Sequence, residues 1–437
     1  MMEKTVVFFV FVLIGSHASF AQSVLKQVQN QVEKTMNDTA IVPIGSGPME
    51  APPITENKWN QIHSKYFNLN IGLAILLDHN IVEQDYNSIE QVGKVGAATQ
   101  FRADRLVFSG DLPFFKYPWR YMISVNFNGL DGSDATNSFT LNDLSLEIPF
   151  GKTGGWITIG KQKEGVGLEY VMPGTQGQFM ERGSGAPIFV RQRNVGIRYS
   201  NSILHNRMTF TAGFFNNWIE TGNSFSANGS QVVARVTGLA QYESDHKLVH
   251  LGLAYRYTQP NTGVLSYKGK PEVNTAPFYV STGNFEASGA NTLMGELIVV
   301  KGPVSVTAEY MNALVNSSFA GNPSFTYFQA GGSWFMTGEN RRYNKQTGNQ
   351  GKLIPAKNFK FKKGSGPGAF EFGARYTQSD LSDKGISGGK FGRLTGALSW
   401  YPNAHFRFEI NYGHGVLDNM GLNGVSNFYQ FRIQFEI

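Results

Sequence analysis

Five cations and three carboxylates crowd into residues 161–193 of this chain. Lys161, Lys163, Arg182, Arg191 and Arg193 stand against Glu164, Glu169 and Glu181, a local net of +2 (five minus three). A guanidinium donates hydrogen bonds in parallel pairs, which suits phosphate-like oxyanions. The same fork serves structural carboxylate pairs. Glu181–Arg182 therefore also reads as a loop anchor, and Arg191 and Arg193 as residues of a strand rim. A second concentration lies downstream. Arg341, Arg342, Lys345, Lys352, Lys357, Lys360, Lys362 and Lys363 face only Glu339, a local net of +7. Such a segment either draws anions toward an opening or is simply a solvated loop.

Covalent chemistry has little to build on. His205, His246, His250, His405 and His414 are scattered, and none sits beside a serine or acid in a nucleophilic pattern. The chain has no cysteine, which removes disulfides and thiolate metal sites. No catalytic residue, metal or cofactor is expected. The overall charge of +6 favours anionic partners weakly, and nothing in its placement suggests nucleic acid.

The elements that must carry these groups read as strands. "YFNLNIGLAILLD" puts Phe67, Leu69, Ile71, Leu73, Ile75 and Leu77 on one side, and "FYQFRIQFEI" alternates in the same way to the last residue. Similar runs predict sixteen strands: 66–78, 99–110, 118–128, 138–148, 155–163, 192–201, 207–217, 230–242, 247–258, 292–301, 303–313, 324–335, 368–378, 391–401, 404–415 and 426–437. The face opposite the apolar one carries Arg105, Arg120, Arg198, Arg235, Arg256, Arg375, Arg393, Arg407 and Arg432. It also carries Asp143, Glu147, Glu296, Glu309, Glu371, Glu409 and Glu436. A soluble core would not tolerate such a face, whereas a watery lumen would. Connections read as alternately short, at "PNA" and "KGP", and long, at 79–98, 163–191 and 259–291. The pattern implies an all-β transmembrane antiparallel barrel over 66–437, with its apolar face toward outer-membrane lipid. Its terminal strand closes the sheet against the first.

The N-terminus completes the organisation. Lys4, an apolar run from Val6 to Ile14, and Ser19-Phe20-Ala21 read as an export signal over 1–21. Residues 22–65 read as a periplasmic extension, a short amphipathic helix and then a Pro/Gly linker.

Several segments together resemble the phosphate-selective porin family, porins O and P. They are "QFRADRLVFSGDL", "WITIGKQKEGVGLEYVMPGTQGQFMERGSGAPIFVRQRNVGI", "SWFMTGENRRY", "GAFEFGARYTQSDLSD" and "LSWYPNAHFRFEINYGHG". The resemblance spans roughly 66–437; Gly165 departs from it, where a proline usually follows Lys-Glu. It implies a trimeric sixteen-stranded outer-membrane porin whose third external loop narrows the pore. It implies too that the basic stretch from Arg341 is a periplasmic connection turned into the lumen. The expected function is passive diffusion of small anions, with phosphate or polyphosphate implied by the resemblance alone. A general porin with weak anion preference and a non-conducting adhesive or scaffold barrel stay open as alternatives.

Overall fold

The computed structural model describes residues 60–127, 139–151, 154–216, 229–362 and 364–437. The expected signal 1–21, most of the extension 22–65 and Lys363 lie outside the described residues. The alternating runs form sixteen barrel strands. The first eight are β1 (Asn68–Gln84), β2 (Ala98–Leu112), β3 (Trp119–Phe127), β4 (Phe139–Pro149), β5 (Trp156–Gln162), β6 (Asn194–Ile203), β7 (Met208–Asn216) and β8 (Ser230–Ser244). The rest are β9 (Lys247–Gln259), β10 (Gly289–Lys301), β11 (Val304–Asn316), β12 (Ser324–Phe335), β13 (Ala369–Asp383), β14 (Ile386–Tyr401), β15 (Phe406–Asn419) and β16 (Leu422–Glu436). Each pairs antiparallel with its neighbour in sequence. β16 returns to β1 from Ala74↔Glu436 to Gln84↔Ser426 and closes the sheet. Closure extends to the final residue, whose N–H donates to Leu73 O at 2.9 Å. The all-β barrel expected from the alternation is the fold.

Burial is inverted relative to a soluble protein. Leu251, Leu293, Phe372, Leu394, Ile410 and Ile433 are exposed on the outer wall, whereas Arg235, Glu296, Arg375, Arg393, Glu409 and Arg432 are buried inside. The outer face is exposed and apolar, and the inner one is covered by chain segments that enter the lumen.

Several boundaries differ from the sequence reading. β1 runs on to Gln84, past the run that ended at 78, which shortens the expected 79–98 connection. β13 and β14 run on to Asp383 and Ile386, and β15 and β16 to Asn419 and Leu422, well past the runs that ended at 378 and 415. In these extensions the buried positions turn apolar, Leu381, Ile386 and Leu417 joining one buried cluster with Tyr279, Val280 and Phe285 of the 260–288 connection. The pattern of polar-in and apolar-out therefore breaks while the ladder continues. The connections 384–385 and 420–421 are consequently as short as the turn 302–303 at the other end. The expected contrast of short and long holds only for the earlier connections. At the extension's edge, Gln61–His63 folds back antiparallel on Asn68–Asn70 rather than continuing a linker.

Three connections turn inward. Residues 163–193 join β5 to β6, and 260–288 join β9 to β10. Residues 336–368 join β12 to β13 at the end of the barrel that holds the last residue.

Leu253 lies at the middle of β9 and is 73% exposed on the outer wall. Leu253→Arg should lower the stability of the bilayer-inserted barrel by about 2–4 kcal/mol. Denaturant unfolding in lipid vesicles, compared with the unaltered chain, measures this.

Candidate functional site

The 163–193 connection crosses the lumen as a strap, from its root at β5 and β6 to the opposite wall. Leu168 N–H donates to Glu309 Oε1 on β11 at 2.6 Å, and Ser184 Oγ meets Ser379 Oγ on β13 at 2.9 Å. Arg407 on β15 donates to the carbonyls of Gly177 (2.7 Å) and Gln178 (3.0 Å). Gln434 on β16 reaches Thr175 O at 2.9 Å. The strap passes so close to the wall that a Cβ on Gly183 would stand 1.8 Å from the Tyr327 hydroxyl oxygen. Only glycine fits there.

Ion pairs fasten the strap and neutralise most of the wall. Arg375 pairs with Glu169 at 2.9 Å and with Glu272 of the 260–288 connection at 2.6 Å. Arg432 pairs with Asp78 at 2.7 Å and Glu181 at 3.3 Å. Glu164 accepts from Arg256 at 2.6 Å, and Arg235 binds Glu296 at 2.7 Å. Arg120 lies 3.3 Å from Glu147, and Arg407 lies 2.8 Å from Glu409.

Pairing is incomplete on the β2–β6 side. Arg102 and Arg105 of β2, Arg182 of the strap and Arg193 at the strap's exit form one electrostatic cluster. Arg102 pairs with Glu181 at 2.5 Å, and Arg193 grips Asp143 with contacts of 2.6 and 3.1 Å. Arg105 makes no ion pair among the described residues, and its Nε has no acceptor. Among the described residues Arg182 donates only to the carbonyls of Glu169 (2.7 Å) and Met172 (3.2 Å), and it lies 4.5 Å over the Tyr170 ring. Two of the four guanidiniums, Arg102 and Arg193, are thus ion-paired, and Arg105 and Arg182 are not. Glu169, itself paired with Arg375, adds a more distant negative charge near Arg182. Burial, with Arg193 and Arg102 close by, pulls the Arg182 guanidinium below its ordinary value. Burial alone would raise the Glu181 carboxyl, but Arg102 and Arg432 hold it below the usual range. Arg102 keeps 27% of its side chain exposed, against 2% for Arg375 and Arg432. Solvent therefore reaches this side, between strap and wall.

The sequence profile of the phosphate-selective porin O and P family matches residues 77–437. The chain belongs to that family. A protein of Caulobacter vibrioides described as uncharacterised is 27% identical over 304 residues, 63% of this chain and 56% of that one. This chain thus spans little more than half of that relative. The outer membrane channel DcaP of Acinetobacter baumannii superposes with a TM-score of 0.53 at 13% identity, over 86% of this chain and 99% of its own. An anion-selective porin from Comamonas acidovorans gives 0.52 at 12%, over 85% and 100%. A trimer form of OmpT from Vibrio cholerae gives 0.50 at 11%, over 85% and 100%. At these identities the likeness is one of fold.

Within this porin-family barrel the residues singled out in the sequence separate. Lys161 pairs in register with Leu144 and shares alternate positions with Ile157 and Ile159, so it belongs to the outward set, away from the cluster. Lys163 donates to Val171 O at 3.0 Å within the strap, and Arg191 is exposed at the rim. Glu181 and Arg182 do not pair with each other; each anchors elsewhere. Arg198 donates to Lys163 O at 2.8 Å. Arg341 is buried in the lumen on Glu371 (2.6 Å), Tyr401 Oη (2.9 Å) and the strap's Gln176 O (2.7 Å). Lys345 lies 3.7 Å over the Tyr242 ring, and Lys352 pairs with Glu436 at 3.2 Å. Arg342, Lys357, Lys360 and Lys362 are exposed.

Arg102 escaped the two-residue count. β2 bulges there, with Leu76 opposite Ala103 and Leu77 opposite Phe101, so Arg102 is the extra residue. The bulge lets it turn inward beside Arg105 although an odd number of positions separates the two. The signal was present in "FRADRLVF". Outward Phe101 shares parity with inward Arg105, which a regular strand cannot accommodate.

Deleting Thr175–Phe179 should widen the passage and raise single-channel conductance severalfold, because these residues form the strap's reach to β15 and β16. Planar-bilayer recordings of the refolded deletion measure it. Unchanged conductance would place the strap outside the ion path.

Proposed function

We propose that this chain is a passive outer-membrane channel for small anions, phosphate or polyphosphate among them. The passage runs past Arg102, Arg105, Arg182 and Arg193. The observation that carries this reading is the unneutralised pair of guanidiniums where strap and wall approach. The remainder of the lumen is nearly balanced by its ion pairs, so a permeating ion meets net charge mainly here. Guanidinium forks replace part of an oxyanion's hydration, and low-dielectric walls concentrate their field. Membership of a family described as phosphate-selective and the fold shared with an anion-selective porin support the same reading.

Arg105→Gln combined with Arg182→Gln should lower anion-over-cation permeability severalfold, as Coulomb energies of order kT at close range imply. The loss should persist in concentrated salt, because contacts inside the narrow stretch are screened less than a surface field acting over ~8–10 Å. Reversal potentials across a salt gradient, at low and high ionic strength, test both points. Unaltered selectivity in a folded double variant would leave a general porin.

The channel is also proposed to be a homotrimer. β5 has seven residues and β3 and β7 nine each, whereas β13–β16 have fourteen to sixteen. Seven residues tilted at ~45° rise only ~16 Å, short of an apolar band of ~25 Å. The outer wall of these short strands carries an apolar groove lined by Phe150, Ile157, Ile197, Tyr199, Phe214 and Val232. A second and third copy would cover that wall where lipid fits poorly, as the trimer form of OmpT shows this fold can assemble. Light scattering in mild detergent should give a trimer that heat dissociates. A monomer would reject the assembly without touching the channel reading.

A further inference from the structure

The connection 336–368 does not form one basic surface. Its first half enters the lumen, where Arg341 and the hairpin of Tyr343–Asn344 with Asn349–Gln350 pack on strap and wall. Its second half turns out over the rim. Phe359 N–H donates to Pro402 O at 2.7 Å, and the Phe359 ring meets Trp400 edge-on at 5.2 Å. Trp400 shares the outward positions of β14 with Leu394 and Leu398 and stacks on Phe370 and Phe408. The loop therefore lies against the barrel's lipid-facing aromatic band. From it Phe361 projects 102% exposed, flanked by Lys360 and Lys362. The exposed ammoniums of Lys357, Lys360 and Lys362 have no hydrogen-bond or ion-pair partner among the described residues. The turn that presents them is fixed by Ser365 Oγ to Lys360 O at 2.6 Å and Gly368 N–H to Lys357 O at 3.1 Å.

We propose that residues 357–362 are a membrane-interface anchor. Phe361 enters the boundary between headgroups and acyl chains, and the three lysines meet the phosphates of anionic phospholipid. An aromatic ring between cations, continuous with a lipid-facing wall, matches the composition of such boundaries. Basic side chains beside an anionic leaflet gain from its surface potential within a Debye length. In water alone, a fully exposed phenylalanine on a hydrogen-bonded turn has no such compensation. The inference goes beyond the channel reading and removes three of this connection's eight cations from the ion path.

The chain lacks cysteine, so Asn358→Cys offers one labelling site for a polarity-sensitive dye while Phe361 is kept. The full chain is refolded into vesicles of phosphatidylcholine, or of equal parts phosphatidylcholine and phosphatidylglycerol. Blue-shifted emission, quenched by lipids brominated just below the headgroup and more strongly with phosphatidylglycerol, is expected. Phe361→Ser should return the emission toward that of water. Lys360→Gln with Lys362→Gln should abolish the difference between vesicle types, and inorganic phosphate in the bath should change nothing. Water-like emission without quenching, or an equal response to both vesicle types with the lysines intact, overturns the proposal. So does a fall in anion preference in Lys360→Gln/Lys362→Gln, since it would return these lysines to the conduction path. Arg105→Gln/Arg182→Gln should leave the quenching intact, so the two readings fail separately.

Discussion

Hydrocarbon offers no hydrogen-bond partner, and that constraint orders everything else in this chain. A sheet can face lipid only if every backbone N–H and C=O is paired, so β16 must find β1. Once the ring is closed, the two faces of each strand lose their soluble roles. Leucine, isoleucine and phenylalanine turn outward, and the ionisable side chains have only the lumen left. The chain's last residue pairs with Leu73 because the ring admits no free edge.

Sending charge inward creates a second problem. A lumen lined by arginine and glutamate repels or collapses unless these groups find partners, and a buried unpaired charge is costly. The strap contributes to the solution as well as narrowing the pore. Its Glu169 and Glu181, with Glu272 of the neighbouring connection, bring carboxylates to Arg375, Arg432 and Arg102. Its carbonyls at Gly177 and Gln178 occupy Arg407. One segment thus sets the width of the passage and the distribution of its charge.

This division explains what the sequence made legible. Lipid on one face and water on the other impose strict alternation, so sixteen strands and the inward set of arginines could be read directly. Where that contrast ends, so does the signal. Toward the outer turns of β13–β16 the buried positions are apolar, Leu381, Ile386 and Leu417 packing with the 260–288 connection, so the pattern of the spanning stretch no longer applies. Strict alternation also hides the bulge at Arg102, and it excludes Lys161 from the inner face, because parity with Ile159 places that residue outward. Which residues share a cluster depends on how a loop crosses a closed lumen, and no local period encodes that. The basic run after Glu339 shows the limit most clearly. Its charges sum to +7 in sequence, yet Arg341 is neutralised by Glu371, Lys352 by Glu436, and others stand outside the wall.

Net charge at a point therefore matters more than the number of cations. Nine arginines along the inner face do not make an anion channel, because a guanidinium bound to a carboxylate presents a dipole whose field fades quickly. At physiological salt even an unpaired charge is felt over only ~8 Å. A solute in the wider lumen passes paired groups with little preference. On the channel reading proposed above, it meets uncompensated charge where Arg105 and Arg182 make no ion pair among the described residues. The same geometry accounts for the pairs on either side of them. Arg102 and Arg193 are held by Glu181 and Asp143, which keeps the cluster from repelling itself apart. Discrimination in such a channel is set by how many guanidiniums are left over at one narrow place.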